Sequence, residues 1–122
     1  MDAATTPLME DYAYGYTGAT ANITVSLTGL TAGSTLTLVV YAAGNNSGQG
    51  ASLTLSGATG GNSGSTLSTS AASRQISAGN GVAYQTFTGT VASGGTLTLT
   101  ATELGGQSFT AVNGFQLSLT HP

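Results

Sequence analysis

The sequence predicts an all-β domain, an antiparallel β-sandwich of jelly-roll type with roughly eight or nine strands. Three observations support this fold. Apolar residues alternate with Thr and Ser at a period of two, as in strands with one buried face. Turn signals rich in Gly and Asn recur about every ten residues. No window carries apolar residues at helical spacing, and the abundant β-branched Thr disfavours helix.

The first half of the chain contains four of these strands. Residues 1–9 are expected to form a tail or a short edge strand, and the sandwich domain is assigned to residues 10–120. Residues 11–16 are the first candidate strand. A turn at 29–34 and a polar loop at 44–50 separate the strands that follow. The alternating apolar residues of those strands are Ile23, Val25 and Leu27; Leu36, Leu38 and Val40; and Leu53 and Leu55.

The second half is predicted from the same signals. Residues 57–66 are rich in Gly, Ser, Thr and Asn and are expected to be mobile. Leu67 and Ile76 mark two weak strands. The Asn-Gly pair within 79–81 predicts a hairpin turn, followed by a long strand over 82–91. Gly-Gly turns at 94–95 and 105–106 lead into the last strands. The apolar residues of those strands are Leu97, Leu99 and Ala101; Phe109; and Phe115, Leu117 and Leu119.

Charge is almost absent from this chain of 122 residues, which carries one cation and four carboxylates, 4% of its residues. Soluble domains usually carry about a quarter. Most enzyme mechanisms need a titratable group beside the substrate, so we expect a protein that is not an enzyme. A single cation argues against nucleic acid and anionic lipid as partners. No apolar run approaches the ~18 residues of a membrane span, so no membrane insertion is expected.

The hydroxyl-rich composition is typical of exported proteins, and we expect an extracellular or cell-surface location. The absence of Cys does not decide the compartment. The first residues lack the basic and apolar regions of a signal peptide, so a secreted form would correspond to a mature or excised piece.

Three tyrosines form the first candidate binding site. Tyr12, Tyr14 and Tyr16 stand at alternate positions and would line one face of a strand, about 7 Å apart. Sugars stack their C–H faces on such rings, and the phenol hydroxyls orient them. The small Ala13 and Gly15 on the other face favour the tyrosine face as the one that packs on something. The alternative is that this face packs into the core, against a neighbouring strand or against another subunit.

The polar loop is the second candidate site. Asn45, Asn46 and Gln49 each offer an amide donor and an amide acceptor, which suits neutral sugar hydroxyls. Gln107 and Asn113 are further candidates of the same kind. The alternative is an ordinary surface loop held by Asx turns.

The charged residues offer little further chemistry. Glu10, Asp11 and Glu103 are the candidates for a structural calcium site, and also for the facing carboxylates of glycoside hydrolysis. Glu10 and Asp11 are adjacent and would point to opposite faces of a strand, so we expect no cofactor, no metal site and no catalytic residue. Arg74 is expected to pair with a carboxylate or to anchor a loop. His121 lies one residue from the chain end, where chains fray.

Two segments resemble a known group of domains. Residues 26–41 resemble a hairpin of extracellular β-sandwich domains, and residues 111–119 resemble the last strand of the same group. With residues 72–74 and 87–91, their order is similar to accessory domains of exported, polysaccharide-associated bacterial proteins of planctomycete and verrucomicrobial type. Those domains are galactose-binding-like or malectin-like jelly rolls. The resemblance spans roughly residues 8–120 and implies a non-catalytic, glycan-binding module. It transfers no binding residues, because such domains bind at differing loops and faces, and this chain has no Trp.

The leading functional hypothesis is therefore carbohydrate binding or cell-surface attachment through aromatic stacking and neutral hydrogen bonds, with a glycan or polysaccharide as partner. The alternative is self-association, as a structural subunit of a fibre, sheath or surface layer. Low charge removes the repulsion and the Lys residues that normally protect sheet edges. A spacer domain without a ligand is the third possibility.

Overall fold

A computed structural model describes residues 13–16, 22–43, 50–70, 79–104 and 109–122. These residues form ten β-strands, and no helix among them is long and apolar enough to cross a membrane. The strands are β1 (Ala13–Tyr16), β2 (Ile23–Leu27), β3 (Thr35–Tyr41), β4 (Ser52–Ser56), β5 (Ala58–Thr59), β6 (Leu67–Ser68), β7 (Tyr84–Val91), β8 (Leu97–Thr102), β9 (Phe109–Val112) and β10 (Gly114–Thr120).

Two four-stranded antiparallel sheets face each other as a β-sandwich. The β3 sheet has the strand order β10–β3–β7–β5, and the β8 sheet has the order β2–β8–β4–β6. Strands β1 and β9 form a separate antiparallel ribbon. From β2 to β8, each strand lies in the opposite sheet from the strand before it. The predicted all-β antiparallel sandwich is confirmed.

The core lies between the two sheets, because the alternation predicted from the sequence holds. Leu36, Leu38 and Val40 of β3 are at most 1% exposed, whereas Thr35 and Thr37 between them are exposed. Burial of one such aliphatic side chain stabilises the fold by about 1.5–3 kcal/mol. The other buried side chains of this core from the two sheets are Leu53, Leu55, Phe87, Val91, Leu97, Leu99 and Ala101.

Hydroxyl groups cover the outward faces of both sheets. On the β3 sheet the register places Thr37 between Thr88 and Ser118, and all three are exposed. On the β8 sheet Thr100 lies between Thr24 and Thr54 in the same way. A hydroxyl both donates and accepts hydrogen bonds, so these faces interact with water although they carry no charge.

Residues 57–66, a segment expected to be mobile, are held against strand β7. Within this segment β5 pairs with β7, and the side chain of Asn62 continues the contact. Its Oδ1 accepts a hydrogen bond of 2.7 Å from the N–H of Thr88, and its Nδ2 donates one of 3.0 Å to the C=O of Thr86. An Asn amide carries the same donor and acceptor as a peptide group, so Asn62 substitutes for a strand residue beside β7. Composition alone did not distinguish this anchored turn from a free loop.

Two other predicted elements differ in detail. The turn at 79–81 exists, with positive φ at Gly79 and Gly81, and it folds over the start of β7. The N–H of Gly81 donates a hydrogen bond of 2.7 Å to the C=O of Tyr84. Strand β7 consequently begins at Tyr84, two residues later than predicted. The weak strand at Leu67 is confirmed as β6, and the one at Ile76 lies outside the described residues.

Candidate ligand-binding surface

The base of the predicted amide loop is a compact set of contacts, termed the neck. Asn45, Asn46 and Gln49 themselves lie outside the described residues, whereas the residues on both sides of the segment 44–49 are described. The neck consists of Ala42, Ala43, Gly50, Ala51, Thr69 and Asn113.

Thr69 joins the two chain segments of the neck. This buried hydroxyl donates a hydrogen bond of 2.6 Å to the C=O of Ala42 and accepts one of 3.0 Å from the N–H of Ala51. The N–H of Thr69 also donates to the C=O of Ala51 at 3.0 Å. A Cβ atom at Gly50 would collide with the carbonyl oxygen of Thr69, so glycine permits this close approach. The chain therefore enters and leaves the loop through fixed points.

Asn113 also bonds the chain segment that enters the loop, at Ala43. Its Oδ1 accepts a hydrogen bond of 2.8 Å from the N–H of Ala43, and its Nδ2 donates one of 3.2 Å to the C=O of Ala43. The N–H of Asn113 donates a bond of 2.7 Å to the C=O of Tyr41. Asn113 was a candidate sugar ligand, but both polar groups of its amide bond the backbone inside the fold.

An aromatic pair lies beside the neck, on the outward face of the β3 sheet. The rings of Tyr41 and Tyr84 are paired across β3 and β7, with centroids 5.8 Å apart and planes tilted by 50°. They form a small cluster with Ala43 and Ala83, against which Val39 also packs. This cluster is termed the tyrosine corner. Because Ala43 belongs to both groups, the corner and the neck are continuous.

The tyrosine corner is neutral. The hydroxyl of Tyr41 donates a hydrogen bond of 2.9 Å to Oε1 of Gln116. Burial raises the pKa of the Tyr41 phenol, and the nearby phenol of Tyr84 raises it further. Tyr41 is buried and Tyr84 is half-buried, so the corner presents part of the Tyr84 side chain together with the exposed amide of Gln116. The sequence placed Tyr84 on one face of a strand but contained no signal that Tyr41 lies opposite it.

Two of the three tyrosines of the first candidate site lie on β1. Tyr12 lies outside the described residues. Tyr14 and Tyr16 belong to β1, where the register places them opposite Ala111 and Phe109 of β9. The alternate positions of β1, occupied by Ala13 and Gly15, stand opposite two buried residues of β9, Val112 and Thr110.

Asn113, which directly follows β9, connects the ribbon of β1 and β9 to the neck. Val112, the register partner of Ala13, is followed directly by Asn113, which bonds Ala43. The strand that carries two of the predicted tyrosines and the base of the predicted amide loop therefore lie at the same end of the sandwich. Their separation in sequence, about 30 residues, gave no indication of this proximity.

The charged candidates give no site in the described part of the chain. Glu10, Asp11 and Arg74 lie outside it. Glu103, just after β8, is half-buried, and its Oε2 has no hydrogen-bond partner among the described residues. Those residues contain no group of three carboxylate, His or Cys side chains that would hold a metal ion, and they enclose no pocket. His121 is exposed beyond the end of β10.

Comparison of the chain with protein-family models, curated protein sequences and solved structures finds no match.

Proposed function

We propose that this chain is a non-catalytic extracellular module that binds a neutral polysaccharide or attaches to a glycan-covered surface. One observation carries the proposal. Strand β1 with its tyrosines, the neck of the amide loop and the tyrosine corner converge at one end of the sandwich. Aromatic rings and neutral amides are the groups that contact sugar C–H faces and sugar hydroxyls.

In the proposed mechanism, only uncharged groups of the chain contact the sugar. The tyrosines stack on the sugar, and the amides of Asn45, Asn46 and Gln49 bond its hydroxyls. Neutral groups cost less to desolvate than charged ones, which suits a shallow, wet site. The fixed neck reduces the entropy lost when the loop binds, because both of its ends are already held. We expect weak binding at each site.

The outward face of the β3 sheet extends the proposed site. From Gln116 at the tyrosine corner, exposed hydroxyls continue along the sheet at Ser118, Thr37 and Thr88. These three hydroxyls lie side by side on neighbouring strands about 4.8 Å apart, so an extended polysaccharide chain that crosses the strands on this face would meet one hydroxyl on each strand. This arrangement favours a polymer over a single sugar as the ligand.

The topology supports a jelly-roll-like assignment. Successive strands from β2 to β8 alternate between the two sheets, as strands of a jelly roll mostly do. The accessory domains of polysaccharide-associated proteins that the sequence resembles have this architecture, and the resemblance supports the same function and the same extracellular location.

Affinity electrophoresis of the full chain tests the proposal, in gels that contain a panel of neutral and acidic polysaccharides. We expect retardation by at least one neutral polysaccharide, and weaker retardation of Tyr14→Ala and Asn46→Ala. Thr54→Ala is the matched control, because Thr54 is exposed on the outward face of the other sheet. Absence of retardation by every glycan would overturn the proposal, as would equal retardation of the wild type, both variants and the control.

A further inference from the structure

Four strands form the edges of the two sheets, and they differ in length. The edges β5 and β6 have two residues each, and β2 has five. The edge β10 has seven. Very short edges are one way in which proteins avoid pairing with other chains. Strand β10 is therefore the longest unpaired edge among the described strands.

Strand β10 also lacks charge, proline and a bulge, three other features that protect sheet edges. Its seven residues, Gly114–Thr120, include no charged residue and no proline. Its register with β3 is unbroken across all seven, so no bulge bends the strand away. Phe115 on this strand is 38% exposed, the largest such exposure of a large apolar side chain in the described part of the chain.

We propose that β10 pairs antiparallel with β10 of a second copy of this chain, around a twofold axis. The pairing would join two β3 sheets into one sheet of eight strands. This inference goes beyond the proposed function, because it concerns the backbone edge of β10 and a second copy of the chain. Gln116 and Ser118 of β10 also lie on the face proposed to extend the glycan site, but the pairing holds whether or not a glycan binds.

The side-chain alternation of β10 selects the register. Directly opposed residues lie on the same face of a sheet, so the core-side residues Phe115, Leu117 and Leu119 must oppose one another and not the outward Gln116 and Ser118. A register with Leu117 at the twofold axis meets this condition and pairs all seven residues. It places Phe115 opposite Leu119 of the second copy, which covers the exposed ring, and Gln116 opposite Ser118.

The geometry also limits the assembly. A twofold pairing uses the β10 edge of both copies, so it closes at a dimer. Growth into a fibre would require a second edge, of which β2 is the longer remaining one. Strands of seven residues are about 23 Å long, so the contact is small and the dimer should dissociate on dilution.

The first test is the mass of the full chain in solution, measured by sedimentation velocity over a wide range of concentration. We expect a reversible equilibrium between monomer and dimer. A monomer at every concentration, or growth beyond the dimer without a plateau, overturns the proposal.

The second test addresses the register. Gln116→Lys combined with Ser118→Lys places like charges directly opposite each other twice, and should raise the dimer Kd by at least about tenfold. Gln116→Glu combined with Ser118→Lys places opposite charges there and should restore or tighten the dimer. Thr37→Lys is the control, because Thr37 is exposed on the same face, one strand in from the edge.

A circular dichroism spectrum of each variant confirms that it is folded. If the Glu/Lys variant dimerises as weakly as the Lys/Lys variant, or if Thr37→Lys weakens the dimer equally, the pairing of β10 with itself is wrong. A cross-link gives a readout that does not depend on affinity. The chain has no Cys, so Gln116→Cys combined with Ser118→Cys should give a disulfide-linked dimer on mild oxidation, and Thr37→Cys should not.

Discussion

The side-chain amide of Asn113 forms two hydrogen bonds with the backbone of Ala43, 70 residues earlier in the chain, at 2.8 Å to its N–H and 3.2 Å to its C=O. Asn113 lies between β9 and β10, so these bonds fasten the ribbon of β1 and β9 to the neck. This amide, together with the N–H of Asn113 that bonds Tyr41 and the buried side chain of Val112, fixes the relative position of the two predicted sugar-binding elements.

Substitution of Asn113 should therefore be costly. Asn113→Ala removes both bonds and leaves the N–H and C=O of the fully buried Ala43 without these partners, so we expect the free energy of unfolding to fall by about 2–4 kcal/mol. Asn113→Asp keeps the acceptor but places a carboxylate oxygen where Nδ2 donates to the C=O of Ala43, so this variant should also be destabilised. Urea unfolding followed by circular dichroism measures both. Equal stability of the Ala variant and the wild type would contradict this role.

Thr69 should be needed for its hydroxyl more than for its shape. Thr69→Val preserves the volume but leaves the N–H of Ala51 and the C=O of Ala42 without this partner, which should cost about 2–4 kcal/mol. Thr69→Ser keeps the hydroxyl and should lose only about 1 kcal/mol, for one buried methyl group. Thermal unfolding of the two variants side by side makes the comparison. If Val is tolerated better than Ser, packing and not hydrogen bonding holds the neck.

Gly57 should not tolerate a side chain. Its φ is +90°, and a Cβ atom there would collide with the carbonyl oxygen of Thr96, so we expect Gly57→Ala to destabilise the fold by about 3 kcal/mol or more. Gly60→Ala separates the two causes, because φ is +72° but the space is open, and should cost about 1–2 kcal/mol. Gly64→Ala has open space and no positive φ, and should change stability by less than about 0.5 kcal/mol. Any other order of the three unfolding free energies would be inconsistent with the geometry.

Tyr41 should make the fold sensitive to alkaline pH. Its pKa is raised in the folded state by burial and by the phenol of Tyr84, so the unfolded chain releases this proton first as the pH rises. The stability that this group contributes is fully present below pH about 10, the ordinary tyrosine pKa, and is lost as the pH rises from there through the folded-state pKa.

Tyr41→Phe tests this dependence. It removes the bond to Gln116 and should lower the free energy of unfolding by about 0.5–1.5 kcal/mol at neutral pH. The difference from the wild type should then shrink as the pH rises above about 10. Gln116→Ala is the control, because it removes the same bond and keeps the phenol. Urea titrations from neutral to alkaline pH give the comparison, and a difference that grows with pH would reverse the assigned sign.

The alternation of apolar and polar residues correctly predicted several strands and which of their faces are buried. The apolar positions predicted on β2, β3, β4 and β8 all face the core, because the two faces of a strand follow directly from alternate residues. The alternation of apolar and polar residues did not predict the place where a side-chain amide bonds an edge strand as a neighbouring backbone would. Asn62 made a segment rich in Gly and Ser part of the β3 sheet edge, and a single amide bonded to Thr86 and Thr88 leaves no period in the sequence.

The candidate site, too, could be predicted from the sequence only in part. The residue types suited to a neutral ligand were visible in the sequence, and Tyr14 and Tyr16 do lie on a strand. The partner strand of β1, the aromatic pair of Tyr41 and Tyr84, and the use of Asn113 inside the fold were not visible. Each of these depends on which distant segments pair and in which register.

The sequence by itself determined that this chain folds as strands with hydroxyls on one face and apolar residues on the other, and that very few of its side chains carry a charge. These properties are local, since they follow from residue type and a period of two. Only the tertiary structure decided that β10 is the longest edge strand among the described residues, that the tyrosine strand meets the neck, and that Thr69 and Asn113 hold the neck together. Those properties join residues as far apart in sequence as Ala13 and Val112, and no local period encodes a contact across that distance.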